Sequence, residues 1–116
     1  MSAPNVVQVG TITGKAAVQS VGASETAIVT CPSNKVLKVN ALYVSNVDNS
    51  AGKDITVDFY RSSTAYHIAK AITVPANATL DVISKSIYLE EADSLRLKST
   101  NAGDIQAVCS YEEISQ

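Results

Sequence analysis

The stretch KDITVDFY, residues 53–60, decides the fold class, because its apolar and polar side chains alternate with a period of two. Ile55, Val57 and Phe59 fall on one face of an extended chain, and the residues between them fall on the other. This period is typical of an antiparallel strand with one face in a core and the other in water. The stretch therefore predicts a half-buried strand.

The same period recurs in short segments that are separated by Gly, Pro, Asn, Asp and Ser. The predicted strands cover residues 6–13, 24–31, 35–45, 53–60, 65–74, 79–89, 94–99 and 104–111. Turn-forming residues at such intervals indicate many short strands. A chain of 116 residues fits one domain. We therefore predict an all-β fold: a single antiparallel β-sandwich, jelly-roll-like, with about eight short strands.

Two of these strands contain irregularities. The apolar positions of residues 35–45 change parity near Asn40, which predicts a β-bulge or bend there. Residues 65–74 predict a strand with a kink. Residues 32–34 and 75–77 both read Pro-x-Asn just before a strand. Proline presets a turn and cannot donate a hydrogen bond inside a central strand, so the repeat predicts two similar turn-and-strand units.

The N-terminal segment is nearly uncharged, since Lys15 is the one charged side chain in residues 1–23. An uncharged extended segment suits strand addition to a neighbouring subunit, but it also suits a first strand within the same sandwich. Both alternatives remain open, so residues 1–23 are predicted as an extended arm or first strand and residues 24–116 as the β-sandwich domain. The candidate protein-interface residues are Val6, Val7, Val9 and Ile12.

The charge pattern argues against several partners. Nine Lys and Arg residues are spread along the chain against eleven Asp and Glu, giving a net charge of −2. A nucleic-acid-binding protein normally shows a basic patch, so we expect no nucleic acid partner. No apolar run reaches the roughly 18 residues that a membrane span needs, and the N-terminus lacks a secretory signal pattern. We expect a soluble protein that is made in a cytosol, with no membrane partner.

Few residues of the chain could serve in catalysis or in metal binding. His67 is the sole histidine, and no nucleophile-elbow glycines surround it. A transition-metal site usually needs several His or Cys ligands. We therefore predict no catalytic residue, no metal site and no cofactor. Cys31 and Cys109 are predicted as buried thiols, with a disulfide left open if their strands are neighbours. Five tyrosines leave a carbohydrate-binding face as an alternative.

From Ser24 onward the chain resembles a family of small virion proteins of tailed phages, particularly phages that infect marine and freshwater bacteria. The segments that carry the resemblance are CPSNKVLKV (31–39), LYVSNVD (42–48), ITV (55–57), AKAITVPANATL (69–80), IYLEEADSL (87–95) and VCSYEEI (108–114). They are signatures of strands and turns. Where such phage proteins often have a glycine before an aspartate, this chain has Ala92.

The resemblance implies a non-enzymatic structural protein located in the virion and assembled in the host cytoplasm. The first hypothesis is a capsid cement or decoration protein that stabilises the shell. The alternatives are a tail, baseplate or fibre module that serves as an adaptor or attachment part, and the carbohydrate-binding module. The implied partners are the major capsid protein or other virion proteins, together with further copies of the chain in a homo-oligomer such as a trimer.

Overall fold

Nine strands and no helix make up residues 10–115, the part of the chain that the computed structural model describes. The strands are β1 (Thr11–Ser20), β2 (Thr26–Thr30), β3 (Lys35–Asn46), β4 (Lys53–Arg61), β5 (Thr64–Val74), β6 (Thr79–Asp81), β7 (Ile87–Leu89), β8 (Ser94–Ser99) and β9 (Ile105–Ser115). Within these residues, no helix is long and apolar enough to cross a membrane.

The strands form two antiparallel sheets. The first sheet has the order β1-β9-β3-β6, with β7 also pairing with β3, and the second has the order β2-β8-β4-β5. Strands that are distant in sequence, such as β3 and β9 or β2 and β8, pair within each sheet. The predicted all-β sandwich is confirmed.

The core lies between the inner faces of the two sheets and follows the predicted alternation. In β9, Ile105, Ala107 and Cys109 are buried while Gln106 and Val108 are exposed. In β4, the predicted inward residues Ile55 and Val57 are fully buried and Phe59 packs against them as a partly buried side chain. Burial of such side chains is the main favourable term in folding, at about 25 cal/mol per Å² of apolar surface.

The bulge predicted near Asn40 is confirmed. The pairing of β3 with β9 shifts between Val39 and Ala41, so that Asn40 is the extra residue. A bulge in an antiparallel strand exchanges the inward and outward positions that follow it. For this reason Val39 and Leu42 both point into the core, and both are fully buried.

The single strand predicted over residues 79–89 is wrong, because the structure divides it into β6 and β7. The carboxylate of Asp81 accepts hydrogen bonds from the backbone N–H of Ile83, at 3.2 Å, and of Leu42, at 3.4 Å. A local side-chain acceptor of this kind competes with the ladder. The break lies opposite the bulge in β3, where Ser86 Oγ hydrogen bonds with Asn40 Oδ1 at 3.0 Å.

Left-handed backbone conformations mark the predicted turns and the kink. Asn34 and Asn77, the last residues of the two Pro-x-Asn tripeptides, have φ values of 64° and 60°. Asparagine tolerates this region better than most residues because its side chain can hydrogen bond locally. Ala71 has a φ of 50° within β5, where the pairing with β4 shifts, so the predicted kink is confirmed.

Ala92 lies in a tight turn between β7 and β8. The backbone N–H of Asp93 donates to the carbonyl of Glu90 at 2.9 Å, and Ala92 has a φ of 71°. The third position of such a turn is usually glycine when φ is positive, because a Cβ crowds the backbone there. The turn keeps its conformation with alanine, at a cost of about 1–2 kcal/mol.

Replacing Ala92 with glycine is expected to stabilise the protein by about 0.5–1 kcal/mol, since relief of the strained backbone exceeds the entropy that glycine adds to the unfolded chain. The melting temperature should rise by a few degrees in a thermal scan. Ala102→Gly is the matched control, because Ala102 is also an exposed turn alanine but has no positive φ. The control should lower the melting temperature, and an equal change in both variants would contradict the explanation.

Candidate interaction surface

A row of three apolar side chains crosses the outer face of the first sheet. Val18 in β1 lies opposite Val108 in β9, which in turn lies opposite Tyr43 in β3. Directly opposite side chains on neighbouring strands have Cβ atoms about 4.5–5.5 Å apart, so the three form a continuous stripe. Their exposed fractions are 76%, 43% and 45%. We call Val18, Val108 and Tyr43 the apolar row.

The residues on both sides of the apolar row carry no charge. One neighbouring set consists of Ser20, Gln106, Ser45 and Thr79, and the other of Ala16, Ser110 and Ala41. The first charged side chains along the sheet are Asp81, opposite Tyr43, and the cross-strand pair Lys38 and Glu112. We call the apolar row and these two neighbouring sets the uncharged patch. An exposed apolar stripe within such a patch is typical of a protein-binding surface.

The patch ends at β1, which is an edge strand in the described part of the chain. β1 pairs with β9 over the whole of Thr11–Ser20 without a register shift. The predicted end of the first strand at Thr13 is therefore wrong, because β1 runs on through Gly14. Most residues of β1 are exposed, and Lys15 is its one charged residue. Lys15 is neutralised within the chain by Glu113 at 3.2 Å.

Of the four predicted interface residues, Ile12 is the one within the described chain. It lies on the outer face of β1 opposite Ile114, with 54% of its surface exposed. Val6, Val7 and Val9 lie outside the described residues. Val18 and Val108 were not among the surface candidates predicted from the sequence, and Tyr43 was a candidate only as one of the five tyrosines of the carbohydrate-binding alternative. The available signal was Val108, an apolar residue at an outward position of an otherwise regular strand.

The outer face of the second sheet is polar and contains a buried carboxylate. Asp58 of β4 lies opposite His67 on β5 and opposite Arg96 on β8, and it is 2% exposed. Its Oδ1 hydrogen bonds with His67 Nδ1. Arg96 stacks on the ring of Tyr60 with its guanidinium carbon 3.6 Å from the ring centre. A hydrogen bond with Asp58, burial and the charge of Asp58 raise the pKa of Glu25 beside this cluster.

His67 thus takes part in a cross-strand pair with a carboxylate. Within residues 10–115, the side-chain hydrogen bond of His67 is the one to Asp58. The same residues hold no group of three or more His, Cys, Asp or Glu side chains that could bind a metal ion. The geometry is that of a cross-strand hydrogen bond between β4 and β5.

The five tyrosines do not share one surface. Tyr43 and Tyr88 lie on the first sheet, on opposite sides of the bulge at Asn40. Tyr60 stacks with Arg96 on the second sheet, Tyr66 lies on the edge strand β5, and Tyr111 packs against the core. A sugar-stacking platform built from all five would need them on one face.

The two cysteines are buried and unbonded. Cys31 is 3% exposed and Cys109 is fully buried, and both thiols are free. Burial raises the pKa of each thiol to about 11. The thiolate, which is the reactive form, is therefore scarce near neutral pH. In this fold the two residues act as small apolar core side chains.

The comparisons with known proteins concern the fold. No protein-family model matches the chain, and no curated protein matches it in sequence. Among solved structures, it is similar to a chain of the acidic stable capsid of the Helicobacter pylori bacteriophage KHP30, with 13% identity, a TM-score of 0.58 and coverage of 92% of this chain and 90% of that chain. It is also similar to a chain of the Bacillus endospore appendages, a family of disulfide-linked pili, with 17% identity, a TM-score of 0.53 and coverage of 90% and 87%.

Proposed function

We propose that this protein is a non-enzymatic structural component of a phage virion, a cement or decoration protein that binds the assembled capsid shell and stabilises it. The observation that carries the proposal is the uncharged patch, where three exposed apolar side chains form a row across three paired strands. The sequence resemblance to small virion proteins and the fold shared with a chain of a phage capsid support it. Its partner would be the major capsid protein.

The stabilisation would follow from mass action. A protein that binds the assembled shell and not its free subunits lowers the free energy of the shell by RT ln(1 + [L]/Kd) at each site. Each tenfold rise in concentration above Kd adds about 1.4 kcal/mol per site. Because a shell offers many equivalent sites, a modest affinity at each one adds up to a large resistance against disassembly.

The N-terminal residues would contribute a second part of the contact. Val6, Val7 and Val9 precede β1, and Ile12 continues the apolar outer face of β1 away from the apolar row. A chain that lacks residues 1–9 still contains all of β1, which begins at Thr11. Its binding therefore reports the contribution of the sheet without that of the arm. Retention of that shortened chain on capsids, at the level of the full chain, would remove the arm from the proposal.

Replacing Val108 with aspartate should weaken capsid binding at least tenfold. The substitution places a charge at the centre of the apolar row, where it would have to lose water against the shell. Binding is measured by co-sedimentation with particles stripped of this protein. Val47→Asp is the matched control, since Val47 is 45% exposed but lies in the loop after β3. Equal losses for both variants, or none for Val108→Asp, would contradict the proposed surface.

A tail, baseplate or fibre component is the second candidate, and the observation that favours it is the fold shared with a pilus chain. Such a subunit would use the same patch to contact its neighbours along a fibre. Copy number separates the candidates. Quantitative mass spectrometry of purified particles should find hundreds of copies of a capsid protein but only a few to a few dozen copies of a tail protein.

A further inference from the structure

The free edge of β1 differs from the other sheet edges in the described chain. Natural sheets protect their edges with short strands, bulges or inward-pointing charges. β2 has five residues and a register shift, β6 and β7 have three residues each, and β5 is interrupted by the kink at Ala71. β1, by contrast, has ten residues in unbroken register. It is a long edge whose one protecting charge, Lys15, is paired with Glu113 of the same chain.

The hydrogen-bonding phase of β1 shows which backbone groups face outward. The N–H of Val21, just after β1, donates to the carbonyl of Ile105 at 2.8 Å, so the N–H of this odd-numbered residue points toward β9. Hydrogen-bonded and non-hydrogen-bonded pairs alternate along an antiparallel ladder. The odd-numbered residues of β1 therefore bond to β9. The N–H and C=O groups of its even-numbered residues, from Ile12 to Ser20, point toward the open edge.

We propose that the free edge of β1 binds the β1 strand of a second copy of this chain, antiparallel and about a two-fold axis, so that two first sheets join into one continuous sheet. A two-fold interface uses the same surface on both partners, and an antiparallel strand edge meets that condition by its hydrogen-bond pattern. Since Lys15 is neutralised by Glu113 of its own chain, a second copy brings no uncompensated charge to the edge. This dimer would form in solution whether or not the protein binds a capsid.

The outward groups restrict how the two strands align. Even-numbered residues must pair with even-numbered residues, since only these present hydrogen-bonding groups to the edge. Alignment about Ala16 meets this rule and places Gly14 opposite Val18 and Ile12 opposite Ser20 of the other copy. It also places Lys15 opposite Ala17, so that the two Lys15 side chains do not face each other, as they would in the alignment about Lys15 itself.

A cysteine at position 16 tests this alignment. In an Ala16→Cys chain the two new thiols would lie opposite each other across the axis, with Cα atoms about 5.5 Å apart, within the range of a disulfide. Ser110→Cys is the matched control, because Ser110 is exposed on the same face and pairs with Ala16 inside one chain but lies one strand away from the edge. The native thiols of Cys31 and Cys109 are buried and should not compete.

Mild oxidation should convert Ala16→Cys into a disulfide-linked dimer at least tenfold faster than Ser110→Cys. Sedimentation velocity of the unmodified chain should show a concentration-dependent dimer at micromolar concentrations, and Val18→Lys, which adds a lysine beside the edge, should shift it to monomer. Equal cross-linking rates, or a chain that stays monomeric across the concentration range, would overturn the proposal. So would a trimer without cross-linking at position 16. None of these results would decide whether the protein binds capsids.

Discussion

Replacing Asp93 with alanine is expected to lower the free energy of unfolding by about 3 kcal/mol, because it removes the centre of a buried hydrogen-bond cluster. Asp93 is 3% exposed. Its carboxylate accepts hydrogen bonds from Arg61 Nε and from the backbone N–H of Glu90, both at 2.8 Å, and also from Arg61 Nη2. Its carbonyl accepts the N–H of Cys31. The residue therefore ties the turn before β8 to the ends of β2 and β4.

The expected loss lies at the lower end of the range for buried ion pairs because Arg61 is 44% exposed and would regain water. Chemical unfolding in urea at pH 7 measures it. Glu113→Gln is the comparison for a surface carboxylate that pairs with Lys15 and Lys35. In that variant the free energy of unfolding should fall by less than about 1 kcal/mol. A loss from Asp93→Ala that is no larger would show that the cluster adds little to stability.

The same cluster gives the protein an acid-sensitive component. Burial alone raises the pKa of Asp93, but the hydrogen bonds from Arg61 and from the Glu90 amide outweigh it and lower the pKa. A lowered pKa in the folded state stabilises the protein above the unfolded value of about 3.9, and this stability is lost as the pH falls through the folded pKa. The stability difference between the native chain and Asp93→Ala should therefore shrink below about pH 4.

The fold could be predicted from sequence because its strands follow a local rule. In β4 and β9 the inward and outward residues alternate along most of each strand, and the patterns of residues 53–60 and 104–111 predict both strands. The bulge at Asn40 also left a local sign, the change of parity within β3. Patterns of this kind depend on which side of a strand faces the core, and that side is visible within a few residues.

The errors arose where a distant strand sets the local structure. The break between β6 and β7 depends on the Asp81 carboxylate meeting the N–H of Leu42, a residue 39 positions away. Asp58 has the pattern of an outward strand residue, yet side chains from both neighbouring strands cover it. Contacts between residues far apart in sequence leave no periodic signal, so neither feature could be read from the chain alone.

The same reason explains why the apolar row was not predicted from the sequence. An uncharged N-terminal segment is visible in the sequence and directed attention to Ile12 in β1. The apolar row, however, depends on the order β1-β9-β3, which brings Val18, Val108 and Tyr43 side by side from three distant segments. Strand order follows from the whole topology, and the spacing of single apolar residues does not reveal it.

Replacing Asn46 with aspartate should lower the free energy of unfolding by about 4 kcal/mol or more at pH 7. This loss is larger than the one expected for Asp93→Ala. Asn46 is 2% exposed at the end of β3. Its side-chain amide donates to the carbonyls of Ala51 and Val74, both at 2.9 Å, and its Oδ1 accepts the N–H of Asp48 at 2.9 Å. A carboxylate of the same shape would face two carbonyl oxygens without a proton to share, and a buried unpaired charge is costly.

The pH dependence of this variant separates the charge from the shape. A protonated carboxyl can donate one hydrogen bond, and burial beside two carbonyl oxygens favours that form. A raised pKa in the folded state means that the Asn46→Asp chain regains stability as the pH falls, opposite to the contribution of Asp93.

Urea unfolding between pH 4 and pH 8 measures the change in stability of the Asn46→Asp chain, with the exposed Asn49→Asp as the matched control. If both variants lost the same stability at every pH, Asn46 would not be the hydrogen-bonded link between β3, the following loop and the end of β5. Because that link joins strands of both sheets, its loss should loosen the sandwich as a whole and expose the Cys109 thiol, which lies in the core.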